Sequence, residues 1–298
     1  MKRIRTTTCA AILSIAGINR RMCERQSIHP LLLLVTLWMA PVSARAQWLH
    51  YPLPGTPRGI DGKVNLAAPA PRGPDGKADL SGIWAPQPSS IPELLQSVPG
   101  AASGPPPPLG SEPIIKYFVN ILADFKPEAA PLKPGIKLRP DDPALRCLPT
   151  GMPMFDTYPM QRKIVQAPGL ILLLNENDET FRQIFTDGRR LPDNLEPSWL
   201  GSSVGRWEGD TLVVETAGLN DRSSLDELGH THSEKLRITE RFHRVNFGTI
   251  DFQMTLDDPE TFARPFTVRF NLIMLADSDL LESFCSENEK DRQHIAAK

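Results

Sequence analysis

From Gln161 onward the chain alternates apolar and polar positions with a period of two. Ile164-Val165 and Leu170 to Leu174 flank Ala167-Pro168-Gly169, and Phe181 to Phe185 runs into Asp187-Gly188. Val204 to Trp207 and Thr211 to Thr216 flank Glu208-Gly209-Asp210. Leu236, Ile238 and Phe242 alternate with Arg237, Thr239 and Arg241. Ile250, Phe252, Met254 and Leu256 have polar neighbours in the same way, as do Phe266, Val268, Phe270 and Leu272, and Leu281 to Cys285 ends the series. Successive side chains of a strand point to opposite faces, so this pattern predicts half-buried strands joined by tight turns. Eight or nine such strands with no helices between them make an antiparallel meander. Closure into a barrel removes the edges of such a sheet, so the expected fold is mainly β and barrel-like.

The first half of the chain obeys a different rule. Positions 47–160 carry 23 prolines against five in 161–298. Proline fixes φ and removes a hydrogen-bond donor, which excludes long helices and central strands there. Residues 47–110 therefore read as an extended arm, with a polyproline stretch at Pro105 to Pro108. Pro57-Arg58-Gly59-Ile60-Asp61-Gly62-Lys63 is echoed by Pro71-Arg72-Gly73-Pro74-Asp75-Gly76-Lys77, and each Asp-Gly-Lys is a turn signal. One helix is expected near 113–125, where Ser111 can cap, Pro113 fits the first turn, and Ile114, Phe118, Ile121, Leu122 and Phe125 share a face. Residues 111–298 then form the barrel domain.

The first 46 residues do not belong to that domain. Arg20, Arg21 and Arg25 precede the apolar run Leu31 to Met39, and Ala44-Arg45-Ala46 places small residues at a cleavage site. This is the pattern of a secretory signal peptide over 1–46, with a run too short to span a membrane. The expectation is a periplasmic or secreted protein with no membrane span after signal removal. Cleavage takes away seven of the 33 basic and one of the 35 acidic residues, leaving a net charge of about −8. Such a balance argues against nucleic acid as a partner. Cys147 and Cys285 are the only cysteines left, and in an oxidising compartment they read as one disulfide.

The run Gly205-Arg206-Trp207-Glu208-Gly209-Asp210-Thr211-Leu212-Val213-Val214-Glu215-Thr216 resembles a signature of uncharacterised exported proteins from environmental bacteria. Gly229-His230-Thr231-His232-Ser233-Glu234, Glu240-Arg241-Phe242 and the stretch from Asp79 to Trp84 resemble the same group. The resemblance implies one coherent domain over most of the mature chain and names no reaction. Gly82-Ile83-Trp84 also resembles the opening strand of lipocalin-like barrels.

Chemistry is concentrated around His230 and His232. If the strand carrying Ile238 and Phe242 extends back to His230, then His230, His232, Glu234 and Glu240 share one parity and point inward. Two imidazoles on such a strand suit a divalent metal, with Glu234 or Glu240 as the third ligand and one position open for water. Alternatively one histidine acts as a general base, with Asp226 or Glu234 setting its tautomer. The blander alternative is a polar cluster in a loop after Gly229, with the glutamates paired to Arg206, Arg237 or Arg241. Asp221 and Asp226 precede this stretch and either line a barrel mouth or cap turns. Trp199, Trp207, Phe185 and Phe242 either line a ligand pocket or pack the core. Gly201-Ser202-Ser203-Val204-Gly205 matches the serine-hydrolase elbow, but a strand rather than a helix follows it. No nucleotide or redox cofactor motif is present. Three functions remain: a barrel binding a small, partly apolar molecule; a hydrolase, lyase or isomerase centred on His230 and His232; or a structural or interaction module.

Overall fold

The structure is a computed structural model that describes residues 51–87, 133, 139, 143–158, 160–176, 179–226 and 229–285. All of them belong to the second of two units into which the chain divides, 1–47 and 48–298. The expected signal peptide, the polyproline stretch and the helix near 113–125 lie outside the described residues.

Nine strands close into a barrel in chain order: β1 (Gly82–Pro86), β2 (Arg162–Ala167), β3 (Leu170–Asn175), β4 (Phe181–Phe185), β5 (Ser202–Glu208), β6 (Thr211–Ala217), β7 (Arg237–Asn246), β8 (Thr249–Asp257) and β9 (Phe266–Met274). The turns predicted at Pro168-Gly169 and Gly209-Asp210 join β2 to β3 and β5 to β6. Alternation places Ile164, Ile171, Leu173, Ile184, Ile238 and Phe242 in the buried core. Phe242, Phe252 and Phe270 stack across β7, β8 and β9, with ring centroids 4.8 and 4.9 Å apart.

Two features depart from a pure meander. β4 and β5 run parallel, pairing Ile184 with Ser203 and Phe185 with Val204. Parallel neighbours need a crossover, and residues 186–201 provide it. Closure is made by β9 against β1, with Trp84 opposite Met274, so Leu281 to Cys285 is not a strand. β1 thus belongs to the barrel, although it lies within the segment read as arm. The short helices among the described residues are a 3-10 turn, Pro143–Arg146, and α1, Met154–Thr157.

The arm packs over the barrel end that carries the short hairpin turns. Each repeated loop closes on itself, Gly59 N–H to the Lys63 carbonyl at 2.8 Å and Gly73 N–H to the Lys77 carbonyl at 2.9 Å. Each also sends an arginine to an acid outside the repeat: Arg58 to Asp277 at 2.6 Å and Arg72 to Asp210 at 2.7 Å. The sequence echo is therefore two copies of one docking loop. A disulfide joins Cys147 to Cys285, with Cα atoms 5.5 Å apart.

Candidate functional site

The opposite end bears the longer connections, residues 218–236 between β6 and β7 and 258–265 between β8 and β9, together with the segment leading into β2. Inside the barrel at this end, charged side chains occupy core positions. Arg182 on β4 is 1% exposed and meets four acceptors. Its Nη1 donates to Asp156 at 2.9 Å and to Glu240 at 2.7 Å. Its Nη2 reaches Glu240 and, at 2.7 Å, Thr216, and its Nε donates to Ser203 at 3.1 Å. Arg162 on β2 donates to the Asp156 carboxylate at 2.7 Å. Two arginines and two acids thus balance, as buried charges must. Asp156 is carried by α1, so the network ties that segment to β2, β4, β5, β6 and β7.

Burial pushes the Glu240 carboxyl up to about 7, the neighbouring Asp156 acting in the same sense and Arg182 against it. Burial also disfavours the charge of Arg182, but Glu240 and Asp156 outweigh it and raise that group. Arg162 is held below its ordinary range by burial. Glu240 does face inward with Ile238 and Phe242, but its partner is Arg182. Arg206 instead pairs with Glu208 and Glu215, and Arg241 with Glu208.

The histidines sit elsewhere. β7 begins at Arg237, after a turn in which Leu236 N–H donates to the Ser233 carbonyl at 3.2 Å, so the shared parity ends there. His230 belongs to a small hairpin bridged by Ser224 and Thr231. The Asp226 carboxylate accepts the His230 N–H at 3.1 Å and lies 2.7 Å from its Nδ1. Asp226 is buried while the His230 side chain keeps 19% of its surface. This contact turns the Nδ1 edge of the ring toward the buried carboxylate.

His232 is buried and 3.0 Å from the Ser233 carbonyl through Nδ1. Ser223 Oγ lies 2.8 Å from both His232 Nε2 and the Met152 carbonyl, so its single proton is shared between two acceptors. Burial lowers the His232 pKa and keeps the ring neutral. Ser223 is completely buried under Gly151, where an added Cβ would lie 2.5 Å from the serine Cβ. The contact fastens two loops and presents no nucleophile.

The predicted metal set is not assembled. Glu234 is exposed, His230 turns to Asp226 and His232 to Ser223. Among the described residues no group of three or more His, Cys, Asp or Glu side chains is placed to hold a metal ion. The aromatic set is dispersed as well. Trp199 is half-buried under the Arg222 guanidinium at 4.7 Å, Phe242 is in the core, and Trp207 has Lys77 at 5.7 Å. Phe185 stacks with Arg189 at 3.8 Å. Asp221 is exposed and its carbonyl accepts from Arg139 at 2.5 Å. Ser203 of the elbow-like motif lies on β5 within the arginine network.

A cleft of about 850 Å³ opens at this end between the crossover and the start of β7. Leu191, Leu195 and Pro197 give it an apolar strip, and Asp193, Glu234, Lys235, Arg237 and Asp257 give it charge. Of the residues predicted from sequence, Glu234 alone lines it among those described. Arg162, Arg182 and Asp156 were not predicted, although Arg162 and Arg182 stand on the same strand parity as Ile164 and Ile184, a detectable signal. Comparison with models of known protein families finds no match to the chain, and comparison with curated proteins finds no similar sequence.

Proposed function

We propose that this is an exported protein whose barrel binds a small, partly apolar molecule in the cleft at its long-loop end. The observation that supports the reading is that cleft, about 850 Å³, in which an apolar strip of Leu191, Leu195 and Pro197 faces several charged groups. Small-molecule sites span roughly 300–1,000 Å³, and barrel mouths are a preferred location. Export is supported by the small-residue exit at Ala44-Arg45-Ala46 and by the Cys147–Cys285 disulfide. No helix among the described residues is long and apolar enough to cross a membrane. The test is a fragment screen by ligand-observed NMR on the wild-type protein and on Leu195→Arg, which places a charge on the cleft wall. Fragments that bind the wild type and are lost in the variant support the site. Equal binding to both overturns it, and no binding at all returns the protein to the structural-module class.

One observation favours a second reading, an acid/base enzyme. A buried carboxylate orients the partly exposed His230 as it would a general base, which suits hydrolysis, elimination or isomerisation. Activity in a substrate screen that His230→Gln abolishes while leaving the thermal midpoint unchanged is the expected result for that reading.

A further inference from the structure

Arg244, near the C-terminal end of β7, is buried too, 3% exposed against 1% for Arg162 and Arg182. Those two arginines hydrogen-bond carboxylates, whereas among the described residues the hydrogen bonds of Arg244 go to carbonyl oxygens. Nε donates to Asn246 at 3.2 Å, Nη2 to Phe247 at 2.6 Å, and Nη1 to Asp79 and, at 3.4 Å, to Ser81. Its flat face lies 4.9 Å from the Trp84 ring and 5.3 Å from Phe247. No ion pair to Arg244 forms among the described residues. Carbonyls satisfy donors but do not cancel a unit charge, and buried charges are ordinarily paired. Burial accordingly pushes this guanidinium down to about 10.

Arg244 is among the residues lining a cleft of about 360 Å³ between the described part of the arm, β1 and the segment after β9. The charged groups that share the cleft are Lys163, Asp79 and Asp279. Lys163 is already taken by Asp279 at 2.7 Å. The Asp79 carboxylate accepts the Ser81 N–H at 2.9 Å and acts on Arg244 only through space. Leu53, Ile83, Phe247 and Leu275 make the remaining wall apolar. We propose that this cleft binds a small organic carboxylate, its charge set against Arg244 and its apolar body against those walls. The site is separate from the long-loop cleft and does not depend on it.

Calorimetric titration of the purified protein with benzoate, the neutral isostere benzamide and inorganic phosphate tests the assignment. Benzoate should bind saturably and about tenfold or more tighter than benzamide, the difference one charged hydrogen bond makes. Arg244→Gln should weaken benzoate by a similar factor. Because that variant also loosens the arm, Ser278→Trp supplies an independent check: it fills the cleft, leaves Arg244 in place and should abolish binding. Leu195→Arg, in the other cleft, should leave benzoate binding unchanged. Equal affinity for benzamide, binding that survives Ser278→Trp, or no saturable binding overturns the proposal. Phosphate binding as tight as benzoate overturns the organic-acid assignment.

Discussion

His232 shows how a single side chain can mark both a pattern and its limit. The neutral imidazole is buried between a serine hydroxyl and a carbonyl, with its pKa lowered by burial. In the unfolded chain the same group takes a proton near pH 6.5. The unfolded state therefore binds more protons below that pH, and stability falls as pH drops through about 6.5 toward the depressed native value. Urea unfolding between pH 7.5 and 5 should show this loss, up to about 1.4 kcal/mol per pH unit from this group. The slope should shrink in His232→Gln. Arg182 is the residue on which most partners converge. Arg182→Met leaves the Glu240 and Asp156 carboxyls buried without their shared cation. The expected cost is about 3–5 kcal/mol in denaturant unfolding. A loss below 1 kcal/mol would mean that water or Arg162 replaces it. At this scale the sequence showed which types of residue were unusual, but not which would meet. Glu240 and Arg182 lie on strands separated in the chain by two others, and only closure of the barrel brings them within hydrogen-bond distance.

At the scale of elements, period-two alternation was enough to place eight of the nine strands and their tight turns. The opening strand carries no such alternation, and Gly82-Ile83-Trp84 stands out in the sequence only by its resemblance to the first strand of lipocalin-like barrels. Pairing order was less legible. A hairpin fixes its own register through its turn, but the parallel β4–β5 contact depends on how a long crossover returns. Gly205 sits where that contact is closest, and an added Cβ there would be 3.0 Å from both Ile184 and Thr186 side chains. Gly205→Val should therefore cost about 1–3 kcal/mol by overpacking, measured as a lower thermal midpoint. The local pattern places this glycine inside a strand but carries no sign of the close approach across it. The histidine segment failed for a related reason. Parity was extended across residues 233–236, where a turn resets it, and Gly229 was the local sign that the chain was not yet in a strand.

At the scale of the whole molecule, two devices join distant parts. The arm fixes its repeated loops to Asp277 and Asp210, and the disulfide links the segment before α1 to residues beyond β9. The cysteines are 138 residues apart, so by the chain-entropy model the link is worth about 4–5 kcal/mol. Reduction, or Cys147→Ser with Cys285→Ser, should lower unfolding free energy by up to that amount while leaving the far-UV circular dichroism of the barrel intact. Loss of the β signal on reduction would instead make the disulfide a condition of folding. The sequence by itself determined the strand content, the proline-rich first half and the paired cysteines, because each is a local pattern or a count. Tertiary structure alone decided that Arg162 and Arg182 share Asp156, that Arg244 donates its hydrogen bonds to carbonyls among the described residues, and that the histidines part company. Those outcomes depend on which strands become neighbours when the barrel closes, and on where buried charge then finds its counter-charge.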